Sequence, residues 1–253
     1  MTETSRRSAP AAILWATALR VLRQLRHDPR TLALLLVVPV LLTGLLAWIL
    51  SGTPGAFDQW GAILIGLFPL IVMFMVTSIT TLRERSGGTL ERLMTTPMRR
   101  VDFLGGYAVA FGAAAMVQAV VVSAATFGLF GLDVAGALWA VLAVAVLDAL
   151  LGTSLGLFTS AFATTEFQAI QFFPALLLPQ LLLCGLIAPV DTLPAPLELV
   201  ARVLPLTYAV DAMQQLTTQP GVTGDVWRDM AVLVAFVIAL VVVGATTLGR
   251  RTD

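Results

Sequence analysis

Long apolar runs alternate with short polar segments along the 253 residues of this chain. A helix needs about 20 mostly apolar residues to cross the hydrocarbon core of a bilayer, and six stretches reach that length with almost no charge. They are residues 31–50, 60–82, 104–131, 134–158, 168–188 and 229–248. Because a helix pairs its backbone donors and acceptors within itself, the pattern predicts an all-α integral membrane protein with six transmembrane helices.

These runs divide the chain into three parts. We expect residues 1–30 to form an N-terminal cytoplasmic segment, residues 31–248 one six-span transmembrane domain, and residues 249–253 a cytoplasmic tail. Orientation follows from arginine, since cytoplasmic loops carry an excess of basic residues. Thirteen of the fifteen arginines fall in segments that are cytoplasmic if the N-terminus is inside, whereas the outer segments hold only Arg202 and Arg228. Both termini are therefore predicted to be cytoplasmic.

The segment before the first run is predicted to be an amphipathic helix on the inner membrane surface. With about 100° per residue, apolar and polar side chains separate onto two faces. The apolar face carries Leu14, Val21, Leu22 and Leu25, and the polar face carries Arg20, Arg23, Gln24 and His27. Pro29 disfavours helix at the preceding residue and so ends this helix. We expect its arginines to point toward the lipid headgroups; the alternative is a simple continuation of the first span.

The outer segment from residue 188 to residue 229 has a different character, because it is moderately apolar and contains five prolines. Residues 196–204 and 206–217 are predicted to form short helices. Each is too short to cross a bilayer. We therefore expect them to be re-entrant helices that dip into the outer leaflet or rest on it.

The charged connector, residues 83–100, reads RERSGGTLERLMTTPMRR. Thr89 is suited to cap a helix that begins at Leu90, and Leu93 continues one apolar face of that helix. Pro97 ends it. A helix of about two turns is marginal in water, so we expect it to dock against another protein. The alternative is an ordinary cytoplasmic loop whose arginines only fix the orientation.

Composition excludes several other classes of protein. Only 12% of the residues are charged, and the formal net charge is zero, which argues against a nucleic-acid-binding protein. The sequence contains no lysine, so it cannot form a lysine-bearing P-loop for a nucleotide. With His27 as the only histidine and Cys184 as the only cysteine, a metal site built from these residue types is implausible. We predict no catalytic residue and no metal site.

Three motifs resemble those of type-2 ATP-binding-cassette (ABC) exporter permeases, with the daunorubicin-resistance type the most similar. The run ERSGGTLERLMTTPMRRVDFLGGY resembles the family's connector between the second and third spans. HDPRTLALLLVVPVLL resembles its first span, and PVDTLPAPLELVARVLPLTYAVDAM resembles its segment after the fifth span. One departure is the doubled Gly87-Gly88, where a single glycine is usual. The family's fold has six spans, a cytoplasmic coupling helix and outer re-entrant helices.

The resemblance implies that the connector helix is the coupling helix, seated in a groove of a separate ABC ATPase. Two copies of that partner would bind ATP and Mg²⁺, while this chain would bind no cofactor and would not itself be an enzyme. The chain would pair with a second permease, as a homodimer or a heterodimer, among the lipids of a bacterial cytoplasmic (inner) membrane. It would export amphipathic drugs or lipid-like molecules. The positions on the coupling motif are Glu84, Arg85, Gly88, Thr89, Leu90, Glu91, Leu93, Thr96 and Pro97.

Asp148 lies deep in the fourth run, where an aspartate costs about 2.5–3.5 kcal/mol on membrane-insertion scales. With Gly152, Gly156 and Ser160 it recurs every four residues, and such a stripe of small residues lets another helix approach closely. Asp148 is either a cation-selective group on the substrate route or a structural acid bonded to hydroxyls of a neighbouring helix. The other candidates for the route, which could equally serve helix packing, are Gln118, Gln171, Phe172 and Gln180.

Three other functions compete with an exporter subunit. An ion-coupled secondary transporter predicts several membrane acids and related halves of the chain, but only Asp148 lies deep. A membrane-embedded enzyme predicts a cluster of catalytic side chains, which the sequence does not contain. A membrane scaffold without transport activity is compatible with the same pattern.

Overall fold

The structure is a computed structural model that describes the backbone of residues 10–86 and 100–249, and the side chains of residues 14–84 and 105–244. Within these ranges the chain forms α-helices joined by short loops and one 3₁₀ turn, Val190–Thr192. The helices are α1 (Pro10–His27), α2 (Pro29–Leu50), α3 (Ala56–Ser86), α4 (Arg100–Gly128), α5 (Leu138–Ser160), α6 (Glu166–Leu183), α7 (Ala195–Arg202), α8 (Pro205–Thr218) and α9 (Gly224–Gly249).

Six helices of the described ranges, α2 to α6 and α9, are long and apolar enough to cross a membrane. The predicted fold class is therefore confirmed, although several helix ends differ from the sequence prediction. The fifth span ends at Leu183 rather than at residue 188 because Gly185 adopts a φ of 91°, which turns the chain out of the helix. The sixth span begins at Gly224 rather than at residue 229 because the Thr223 hydroxyl accepts a hydrogen bond from the Val226 amide and caps the helix.

The junction between α1 and α2 forms where the sequence predicts it. Asp28 separates the two helices, and its Oδ1 accepts hydrogen bonds from the amides of Arg30 and Thr31 at 3.1 and 3.2 Å. The Thr31 hydroxyl donates to Asp28 Oδ2 at 2.6 Å. These bonds, that of the hydroxyl foremost, hold the pKa of the Asp28 carboxyl below its usual value. The cap stabilises the start of α2, and Pro29 occupies the first helical turn, where no amide donor is needed.

The closest helix contact is between α3 and α5, along what we call the α3–α5 seam: Gly66, Leu70 and Phe74 on α3, facing Asp148, Gly152 and Gly156 on α5. A Cβ atom on Gly152 would overlap the carbonyl oxygen of Leu70, and one on Gly156 would lie 2.7 Å from the carbonyl oxygen of Phe74. The stripe of small residues predicted from the sequence is confirmed, because only glycine lets the two backbones meet at these positions. We call the helix ends on the side predicted to be cytoplasmic the inner ends, and the opposite ends the outer ends. Nearer the inner end, the hydroxyls of Ser78 and Thr159 lie 3.2 Å apart across the same pair of helices.

The two short outer helices also form where the sequence predicts them. A break at Val203 and Leu204 separates α7 from α8, and Pro205 opens α8. The α8 helix packs against α3, α5 and α9, and it buries Leu206, Ala209, Val210, Met213 and Leu216. It is therefore part of the helix bundle and not a separate lobe.

Candidate functional site

Most of the predicted coupling motif lies outside the described residues. This holds for Gly88, Thr89, Leu90, Glu91, Leu93, Thr96 and Pro97, while Arg85 is described by its backbone alone. Of the motif, only the Glu84 side chain has described surroundings. The residues around Glu84 lie on α1 and on α4, the helix that follows the charged connector, and they are described first.

Glu84 stands at the inner end of α3 and is directed toward α1. Its Oε2 lies 3.5 Å from Nη1 of Arg20, and its Oε1 accepts a hydrogen bond from Nε2 of Gln24 at 3.3 Å. The side chain is only 14% exposed. The sequence assigned Glu84 to contact with a partner protein, but its described contacts are with α1 and with Tyr107 of α4 in the same chain.

Arg20 also contacts α4, at a point shortly after the charged connector ends. Its Nη2 donates a hydrogen bond to the hydroxyl of Tyr107 at 3.1 Å, and the guanidinium carbon lies 6.0 Å from the centre of the tyrosine ring. Tyr107 is fully buried. We call Arg20, Gln24, Glu84 and Tyr107 the inner network.

Two glycines make this contact possible. A Cβ atom on Gly106 would lie 2.6 Å from Cβ of Thr17, and one on Gly105 would lie 3.0 Å from Cδ1 of Leu14. Helix α1 therefore crosses α4 directly over the Gly105-Gly106 pair, and this close crossing brings Arg20 to Tyr107.

Helix α1 presents its apolar face as predicted, but one of its arginines does not point where the sequence predicts. Val21 is buried, and Leu22 and Leu25 pack partly against the same cluster, so the predicted apolar face is confirmed. Arg23 is exposed as expected. The expectation that Arg20 points toward the headgroups is wrong, because Arg20 borders the buried face and pairs with Glu84 and Tyr107 instead.

A second ion pair joins the inner ends of α3 and α6. Arg83 donates to both carboxylate oxygens of Glu166, at 2.7 and 2.9 Å. About half or more of each side chain remains exposed, so solvent screens the pair and its contribution to stability is small.

Asp148 is enclosed where α3, α5 and α8 meet. It is 2% exposed, and a Cβ atom on Gly66 would lie 2.8 Å from Asp148 Oδ2 and 3.5 Å from Cε of Met213. Its Oδ1 has no hydrogen-bond partner among the described side chains and backbone. If Asp148 is a structural acid, its Oδ1 is therefore not bonded to a hydroxyl of a neighbouring helix within the described ranges.

The other candidates for a substrate route are scattered over two helices. Gln118 is fully buried in α4, and neither end of its amide has a hydrogen-bond partner within the described ranges. Gln180 donates to the Leu176 carbonyl and accepts, at 3.4 Å, from the Leu206 amide at the start of α8. On α6, Gln171 is exposed, whereas Phe172 packs partly against the core. No hydrogen bond recorded for the described residues joins any two of the five candidates.

The comparison with known families decides the class of the protein. Residues 12–217 match the family model described as "ABC-2 type transporter". The chain belongs to the ABC-2 type transporter family. The resemblance to type-2 ABC permeases is thereby confirmed, and the six apolar helices identify this family member as a multi-pass membrane protein.

Curated relatives cover about two thirds of the chain. It is 28% identical over 167 residues to the probable multidrug ABC transporter permease YbhR of Escherichia coli (strain K12), covering 66% of this chain and 45% of the relative. It is 25% identical over 174 residues to the linearmycin resistance permease protein LnrN of Bacillus subtilis (strain 168), covering 67% and 44%. It is 27% identical over 179 residues to ABC transporter G family member 20 of Dictyostelium discoideum, covering 70% and 24%. The chain thus spans less than half the length of these relatives.

A charged cluster at the outer end of this ABC-2 protein was missed by sequence reasoning. Arg228 on α9 lies 3.0 Å from Asp225, 3.0 Å from Asp229 and 3.7 Å from Asp211 of α8. Asp229 is fully buried, and the cluster borders a cavity of about 510 Å³ between α8, α9 and the segment after α6. The signal was the concentration of charge at the start of an apolar span, with Asp225, Arg228 and Asp229 at i, i+3 and i+4 spacing.

Proposed function

We propose that this chain is the permease subunit of an ATP-driven exporter that moves amphipathic drugs or lipid-like molecules out of a bacterial cell. The observation that carries the proposal is the family match, which covers all of the spans except the last. Two relatives are named for multidrug transport and for linearmycin resistance. The sequence motifs of the connector and of the outer segment point to the same class.

The energy source is proposed to be a separate ABC ATPase, present in two copies. The sequence contains no lysine and therefore no lysine-bearing P-loop, so ATP and Mg²⁺ would be bound by the partner. The charged connector is the proposed contact with it, through the apolar face of Leu90 and Leu93. An amphipathic segment docked on the ATPase would pass a rigid-body movement of that partner to α3 and α4.

A second permease is proposed to pack beside this one, and α6 is a suitable surface for it. Of the candidate spans it has the lowest mean hydropathy, 1.2, and only 17% of its residues are buried within the chain. Its exposed residues combine Gln171 with Phe167, Ile170, Leu178 and Leu182. An amide facing lipid is unfavourable, whereas one at a helix interface finds hydrogen-bond partners. The same face would then border a route for cargo between the two copies.

The test is reconstitution of the chain with its ATPase in proteoliposomes, with ATP hydrolysis and export of a fluorescent amphiphile measured together. We expect export to require both proteins and ATP. Leu90→Arg and Leu93→Asp should uncouple hydrolysis from export while membrane insertion stays normal. Leu90→Met is the matched control, since it keeps an apolar side chain of similar size.

Two outcomes would count against this function. Normal export by both charged variants would overturn the assignment of the charged connector. Export without the ATPase that stops when a protonophore is added would overturn ATP coupling and favour an ion-coupled transporter instead.

A further inference from the structure

We propose that Arg20 is a positioning residue that fastens α1 to both sides of the charged connector, so that α1 and the connector move as one unit. The inference rests on the proposed function, because it concerns how force from an ATPase reaches the spans. It changes the role of Glu84: this residue acts inward, on α1, and not outward on a partner protein.

Arg20 contacts residues on both sides of the charged connector. The charged connector joins α3 to α4, so its two ends are held by the last turn of α3 and the first turns of α4. Glu84 lies in the last turn of α3, and Tyr107 lies just after the first turns of α4. A single guanidinium group, that of Arg20, contacts both: Glu84 at 3.5 Å and Tyr107 at 3.1 Å. One side chain of α1 thus bridges the start and the exit of the connector.

The burial of the inner network makes the bridge firm. The Glu84 side chain is 14% exposed, that of Arg20 is 33% exposed, and Tyr107 is fully buried. Glu84 Oε2 is enclosed and has no hydrogen bond within the described ranges, so Arg20 provides the charge that compensates it. Separating α1 from α3 would leave a poorly solvated carboxylate without that charge, which is far more costly than breaking an exposed pair. The helices are therefore held in one relative position.

The backbone of α4 adds a second fixed point. Because Gly105 and Gly106 let α1 sit directly on α4, Thr17 and Leu14 contact the backbone of the glycine pair. Helix α1 is thus held by packing on α4 and by charge on α3. A displacement of the connector that shifts α3 relative to α4 must either move α1 as well or break the inner network.

The basic side chains of α1 divide into two groups on this interpretation. Arg23 and Arg26 are exposed and form no ion pair recorded within the described ranges, which suits contact with lipid headgroups. Arg20 alone reaches the inner network. This contrast provides matched controls on one helix, since Arg20 and Arg26 carry the same charge in different surroundings.

The first experiment needs no ATPase. In a Cys184→Ser background, a spin label at Arg23→Cys reports the mobility of α1 in proteoliposomes. We expect Glu84→Gln and Arg20→Gln to make the label more mobile, whereas Arg26→Gln leaves it unchanged. The exchanged pair Arg20→Glu with Glu84→Arg should restore low mobility, because Tyr107 can donate to the new carboxylate. An immobile label in all variants would overturn the inference.

The second experiment measures cargo exported per ATP hydrolysed with the ATPase present. We expect Glu84→Gln and Arg20→Gln to lower this ratio about fivefold or more, the exchanged pair to recover it, and Arg26→Gln to match the wild type. Tyr107→Phe keeps the buried ring and removes only the hydroxyl that accepts from Arg20. It serves as a second test if a charge variant fails to insert into the membrane, and we expect it to lower the ratio of cargo to ATP as well.

The two failures can be told apart. If the wild-type chain exports nothing with an ATPase, the proposed function itself is wrong. If the wild type exports normally, and variants with a mobile label on α1 still export as much cargo per ATP, the proposed function is supported and the role of Arg20 is overturned.

Discussion

The α3–α5 seam and the inner network hold helices together by different means. In the seam, backbone meets backbone at Gly152 and Gly156, and the contact consists of shape alone apart from Asp148 at its edge. In the inner network, side chains of α1, α3 and α4 meet through charge and hydrogen bonds. Helices in lipid gain little from the hydrophobic effect, so close packing, rather than the burial of apolar surface, must hold them together in the membrane. At the ends of the helices, charged groups can hold neighbouring helices together instead.

This difference suggests a division of work within the bundle. Close backbone packing has one arrangement and resists gradual change. The inner network instead joins helices through side chains, which link α1 to α3 and α4. The seam is therefore suited to remain fixed during transport, and the inner network is suited to transmit movement.

The largest effect should come from adding one methyl group to the seam. Gly152→Ala places a Cβ against the Leu70 carbonyl, so α3 and α5 must separate, at a cost of about 2 kcal/mol or more. Thermal unfolding in detergent should show a lower midpoint. The matched control is Gly128→Ala, because a Cβ there meets nothing within 4 Å. Equal midpoints for the two variants would contradict the fixed seam.

An intermediate effect is expected at Asp148, the acidic member of the seam. If this acid borders the route of the cargo, Asp148→Asn should reduce export of a cationic amphiphile about tenfold, the size expected for a close charge pair. Export of a neutral analogue should change little. Transport of the two compounds in parallel checks this. Equal losses for both would assign Asp148 to packing rather than to the route.

The smallest effect should come from the exposed ion pair at the inner ends of α3 and α6. Arg83→Gln removes the bond to Glu166, which solvent already screens, so we expect only a small loss in the free energy of unfolding. Unfolding at low and high salt measures it, and high salt should reduce the difference from the wild type. A loss as large as that of Gly152→Ala would show that inner ion pairs are as rigid as the seam.

Much of the fold could be predicted from the sequence because lipid restricts what a chain can do. An apolar run of sufficient length must be helical, so the six spans, the break at Asp28 and Pro29 and the short outer helices follow from the order of residues. The four-residue spacing of Asp148, Gly152 and Gly156 also identified the face of α5 that another helix approaches. Helix ends were less predictable, since they depend on single residues such as Gly185 and Thr223.

The candidate site was less accessible to such reasoning. The motif marked Glu84 as important but gave no direction for its side chain, which depends on α1 lying across the ends of α3 and α4. The Arg228 cluster was missed because Asp211 joins it from a different helix, α8.

The sequence alone thus determined that this protein lies in a membrane, which stretches are long and apolar enough to cross it, and which family it resembles. These properties depend on hydrophobic length and on local motifs, which are written along the chain. The tertiary structure decided that Arg20 bonds to Glu84 and Tyr107, that Asp148 is enclosed by α3 and α8, and that three aspartates meet Arg228. Such pairings join residues far apart in the chain, and they form only because packed helices fix which side chains come within bonding distance.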